Sequence, residues 1–110
     1  MDKDIIMTEE RKLDSLTLDG KFSCTAYLSI GLIKGGDFYL IIEFTGLDER
    51  SFLELGKLYK LEREIEIRSD LISKENYDIT HIIVEKFSAS NKYDLTWECL
   101  SDKPGPSLIL

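Results

Sequence analysis

Proline is scarce in this chain of 110 residues: Pro104 and Pro106 are the two it has, both near the C-terminus. A sheet can therefore run through almost the whole chain without meeting a residue unable to donate to its ladder. Cysteine is equally scarce, and Cys24 and Cys99 stand far apart within apolar patterns. That excludes a small disulfide-stapled scaffold and points to two buried thiols in a reducing compartment, with a bridge between them as the alternative. Histidine occurs once, so any Ser-His-Asp or Cys-His system must use His81 as its base. A structural zinc wants four Cys or His ligands, and three scattered ones do not supply them.

Other signatures are missing too. No Gly-x-Ser-x-Gly elbow occurs, and no acidic loop with a central glycine suits calcium. Gly35-Gly36 lacks the downstream Gly-Lys-Ser/Thr of a phosphate loop and reads as a turn. The expectation is a chain with no catalytic residues, no metal and no cofactor. Long apolar runs are absent as well: the longest uncharged one, Phe22 to Ile33, has 12 residues, against the roughly 20 that a membrane-spanning helix needs. The N-terminal stretch carries Asp2, Asp4, Glu9 and Glu10 where a secretory signal would be basic and then apolar, so the expected location is cytoplasmic. Positive charge is in deficit, with a net charge of −7. Such a surface repels phosphate backbones and argues against direct nucleic-acid binding.

What is present is the composition of a globular domain: 43% apolar and 32% charged residues. At this length the chain buries roughly two thirds of the surface its unfolded form exposes. Residues 1–110 read as a single β domain, with 1–10 a flexible N-terminal segment and 101–110 a C-terminal tail.

Alternation with a period of two recurs along the chain. Tyr93, Leu95, Trp97 and Cys99 point one way, and Asp94, Thr96 and Glu98 the other. Ile79 to Phe87 is rich in β-branched residues, and Ser88 to Asn91 reads as the loop joining these two strands. Lys21–Ile33 and Phe38–Thr45 form a second hairpin across Lys34-Gly35-Gly36-Asp37, and Leu13 to Leu18 is a leading strand. Residues 69–78 read as a loop or a short helix.

The stretch after Gly56 is contested. Ser51-Phe52-Leu53-Glu54 has the spacing of a helix-opening capping box. Tyr59, Leu61, Ile65 and Ile67 nevertheless alternate with Lys60, Glu62, Glu64, Glu66 and Arg68, interrupted by Arg63. The reading adopted is a helical turn over 51–55 and a strand over 57–68, with a continuous helix as the alternative. The fold class is then mainly β: a compact antiparallel barrel or two-layer sandwich of about six strands with one short helix.

On such a strand Glu62, Glu64 and Glu66 form an acidic row. A solvated face is the plain interpretation, and the functional one is a surface complementary to a basic protein partner. The apolar Leu108-Ile109-Leu110 is the other candidate partner-binding element, since it must add a strand to its own sheet or dock on a partner. The expected function is a small acidic non-catalytic protein-binding module of inhibitor, immunity or assembly type. Two alternatives stand beside it. One is an enzyme or ligand carrier using the sheet interior, with His81 near Cys24 or Cys99; the other is a homo-oligomeric subunit assembling by strand addition.

Overall fold

A computed structural model of the chain describes residues 5–33, 37–75, 77–91 and 93–104. Six strands follow in the order β1 (Ile5–Leu18), β2 (Phe22–Ile33), β3 (Asp37–Phe44), β4 (Ile65–Ser69), β5 (His81–Asn91) and β6 (Asp94–Pro104). Helix α1 (Glu49–Lys60) joins β3 to β4, and α2 (Asp70–Lys74) follows β4 directly. All the pairings are antiparallel, and the spatial order β1-β2-β3-β6-β5-β4 closes on itself as a barrel. The fold is thus mainly β as expected, with two short helices in place of one.

Alternation decides what fills the interior. Leu28, Ile30 and Leu32 on β2 and Leu40, Ile42 and Phe44 on β3 are buried, as are Leu95, Trp97 and Cys99 on β6. Trp97 and Phe44, both at 0% exposure, meet edge to face at 5.2 Å between ring centroids. The bore is therefore packed with side chains, as barrels of this strand number generally are. Along β2, β3 and β6 the ladders are long, pairing Tyr27 to Leu32 with Phe38 to Glu43 and Tyr39 to Phe44 with Leu95 to Leu100. These strands make a continuous wall.

The opposite side is built differently. β4 has five residues, meets β1 at Leu16 to Leu18, and meets β5 through Ile65↔Ile82 and Glu66↔His81. Beyond Ile82, β5 has β6 on one side and no strand on the other among the described residues. There α1 approaches the strand through its side chains. Its first turn lies by Tyr93 and its last by Ile83, with the Tyr59 ring 4.7 Å from that of Phe87. A helix laid along an open strand edge keeps that edge from pairing with other chains. At the other end of the seam, α2 and the segment after it cover the barrel mouth, where Tyr77 packs edge-on against Phe38 at 5.2 Å.

The reading of 57–68 as a strand is corrected by this arrangement. Residues 57–60 continue α1, and the strand starts only at Ile65. Asp48, not Ser51, is the N-cap, and its side chain accepts from the Ser51 amide at 2.7 Å. Gly56 disfavours the helix by about 1 kcal/mol, but Leu55 at 0% exposure and the half-buried Phe52 and Leu58 press α1 onto the barrel core. Packing outweighs propensity here. Tyr59 and Leu61, expected to face inward, are 38% and 49% exposed.

Smaller differences have equally local causes. Pairing of β5 with β6 continues to Asn91↔Asp94, so Ser88 to Asn91 is strand with an irregularity and not a four-residue loop. Tyr93 then falls in the turn and is 48% exposed. β1 begins at Ile5, so residues 5–10 of the segment expected to be flexible are strand, with Ile5, Ile6, Met7 and Glu9 paired to β2 across shifts of register.

Candidate functional site

Where α1 ends, the chain must turn back to start β4, and the turn is made at Glu62. Its backbone is left-handed, φ 51°, with its amide donating to Tyr59 O at 3.2 Å. Glycine is the usual residue at such a helix end, because a Cβ there crowds the carbonyl that follows. A glutamate held in this conformation is strained, and such strain gathers at functional positions.

The next residue ties the turn down. Arg63 Nη2 donates to Asp19 Oδ2 at 2.8 Å, and its Nη1 donates to Glu64 O at 2.7 Å. Asp19, also left-handed at φ 54° in the β1–β2 turn, accepts the Glu66 amide on its second oxygen at 3.1 Å. Its own amide donates to Glu66 O at 2.9 Å. The Arg63 guanidinium, helped by that Glu66 amide, holds the Asp19 carboxyl below the usual carboxylate range against a partial-burial effect of opposite sign. Asp19 and Arg63 thus clasp the start of β4 to the β1–β2 turn.

Beside this clasp is a hollow of about 240 Å³ lined by Tyr59, Glu62, Arg63, Ile65, Ile83 and Val84. Its floor is core, since Ile65 is 1% exposed. Tyr59 and Ile83 form its walls, and Leu61 follows in the chain, all three exposed. Of the acidic trio, Glu62 sits on the hollow's rim, Glu64 is exposed just before β4, and Glu66 lies on the outer face of β4 with Arg68 Nη2 3.4 Å from its Oε2. The three do not form a single strand row, because only Glu66 belongs to a strand. Leu108, Ile109 and Leu110 lie outside the described residues.

His81 and the thiols are kept apart. Ile82 points into the core at 0% exposure, so His81 beside it faces outward, opposite Glu66, with Nδ1 3.0 Å from Thr80 Oγ1. Cys99 faces the interior, and Cys24 packs against the core from within. Both cysteines are free thiols. Burial pushes the Cys24 thiol up to about 11 and the Cys99 thiol higher still, so neither supplies a thiolate near neutral pH. His81 and the two thiols thus take opposite faces of the sheet.

A larger groove of about 490 Å³ lies outside the β1–β4 junction, edged by Ser15, Thr17, Arg68, Ser73 and Thr80. Its lining mixes hydroxyls with charges of both signs, and one of those hydroxyls, Thr80 Oγ1, lies 3.0 Å from His81 Nδ1. Among the described residues no group of three or more His, Cys, Asp and Glu side chains is placed to hold a metal ion, and no helix is long and apolar enough to cross a membrane.

No family model matches the chain, and neither a curated protein nor a solved structure does.

The sequence pointed to Glu62 and Glu64 but not to Tyr59, Leu61 and Ile83 as exposed neighbours of them. The signal was available in the helical spacing of Phe52, Leu55, Leu58 and Tyr59, which turns one stripe inward and leaves Tyr59 at its margin.

Proposed function

We propose that this chain is a non-catalytic protein-binding module that docks on a partner through the hollow at the end of α1. The supporting observation is the placement of apolar surface. Tyr59 and Ile83, at 38% and 41% exposure, wall a depression whose floor is core and whose rim carries Glu62, and Leu61, 49% exposed, lies between Tyr59 and Glu62 in the chain. Interfaces are commonly built in this manner, with apolar or aromatic anchors at the centre and polar groups at the edge. Glu64 and Glu66 extend the acidic border, which favours a partner with a basic rim and speeds encounter with it. The packed bore and the separation of His81 from the thiols weigh against an interior ligand or a nucleophilic mechanism.

The test is capture from the native host with the wild-type chain, a Tyr59→Ser/Ile83→Ser variant and a Glu62→Lys/Glu64→Lys/Glu66→Lys variant. The first variant is expected to lose the partner. The second is expected to bind more slowly, with a weaker dependence on salt. Equal retention of the same proteins by all three would refute the docking role.

A further inference from the structure

Along the exposed side of α1, a second surface has the complementarity of a self-contact. Glu49, Leu53, Gly56 and Lys60 follow the spacing i, i+4, i+7, i+11, which places them along one stripe of a helix. Leu53 projects from the stripe at 55% exposure. Gly56 leaves a notch in it, where an added Cβ would meet nothing within 4 Å. Lys57 lies 3.6 Å from Glu54 within the chain, whereas Glu49 and Lys60 make no ion pair among the described residues.

We propose that α1 packs antiparallel against α1 of a second copy of this chain about a two-fold axis, Leu53 of each helix seated over Gly56 of the other. In a two-fold antiparallel pair, facing residue numbers have a constant sum. Setting 53 opposite 56 therefore sets Glu49 opposite Lys60 of the second copy, and the reverse. The stripe is thus self-complementary in shape and charge, as an isologous interface must be. A parallel pairing would set like charges together. Antiparallel helices also place each dipole's positive end near the other's negative end.

The charge of the whole chain, −7, opposes association of two copies over most of the surface. Along α1 the balance differs, for Glu49 and Glu54 are outnumbered by Arg50, Lys57 and Lys60. A copy approaching helix first meets little of the repulsion. Phe52 and Tyr93 border Leu53 in a depression of about 300 Å³ and widen the contact. A helix of 12 residues is about 18 Å long, less than a standard stable interface requires, so the dimer is weak and depends on concentration. Tyr59, three residues after Gly56, lies beside the stripe, so the self-contact runs close to the hollow of each copy.

Sedimentation velocity of the full chain from about 10 µM to about 1 mM tests the proposal, this being the range of a weak protein dimer. The sedimentation coefficient is expected to rise from the monomer value toward the dimer value. Glu49→Lys and Lys60→Glu singly should each weaken the dimer by about tenfold, and the double exchange Glu49→Lys/Lys60→Glu should restore it, since the pair is then reversed on both sides. Gly56→Gln, whose side chain fills the notch, should abolish dimerisation while the circular dichroism of the monomer is unchanged. Should that variant misfold, the charge exchange decides alone. A wild type that stays monomeric across the range, or a double exchange no better than the single ones, overturns the inference. An Ile83→Ser variant, altered on β5 and not on α1, is expected to dimerise like the wild type while weakening partner capture, which separates this contact from partner docking.

Discussion

The wall formed by β2, β3 and β6 and the seam formed by β4 and the two helices enclose the same core by different means. In the wall, consecutive backbone groups pair over six or more positions, and the alternating apolar side chains are buried. At the seam, β4 meets β5 through two residue pairs, and closure depends on the Asp19–Arg63 clasp and on helices laid over open edges. Apolar surface is left exposed mainly where helix meets strand: Leu53, Tyr59, Leu61, Ile83 and Tyr93 all lie on α1 or beside it. The contrast separates a scaffold, whose residues are fixed by packing, from a seam whose exposed residues are free to serve recognition.

The largest predicted effect lies in the wall. Trp97→Ala, emptying the most voluminous fully buried site, should lower stability by about 3–5 kcal/mol in denaturant unfolding. Trp97→Phe should cost less than the lost volume suggests, because the buried Nε1 makes no hydrogen bond among the described residues and its loss offsets part of the lost contact.

At the seam the effects are smaller and local. Arg63→Ala should cost about 1 kcal/mol, given the guanidinium's exposure, yet hydrogen exchange should quicken at Glu66 and Ile67 well before it changes in β3. The Asp19 carboxyl is depressed in the folded chain. Its contribution is therefore complete above the unfolded value of about 4 and is lost as pH falls through the folded one. Asp19→Asn should be less stable than wild type at neutral pH, with the gap closing below about pH 4. A gap independent of pH would assign the role of Asp19 to its shape and not its charge.

The smallest effect has the opposite sign. Glu62→Gly relieves a left-handed glutamate and should raise stability by about 0.5–1 kcal/mol. If Glu62 serves docking, the same change weakens partner capture. A variant that is both more stable and equally competent in capture would remove Glu62 from the site.

Legibility in the sequence follows the same division. The wall was readable because alternation there coincides with burial on one face: Leu95, Trp97 and Cys99 are inward as the pattern implies. At the seam two rhythms overlap. Tyr59 and Leu61 continue the period of Ile65 and Ile67, but their positions are set by α1, whose Leu55 anchors it to a core assembled from distant strands. No glycine marks the helix end, because Glu62 occupies the left-handed position. The reversal therefore carried no local signal, and Arg63, an interruption in the alternation, proved to be the tie to Asp19.

The most direct test sets seam against wall at matched stability. Partner capture from the native host would be quantified for wild type, for Tyr59→Ser/Ile83→Ser, and for the wall variant Ile42→Val, expected to cost about 0.5–1.5 kcal/mol. A docking role of the hollow predicts that the wall variant keeps the captured protein and the seam variant loses it. Loss by both in proportion to stability, or retention by both, would contradict it.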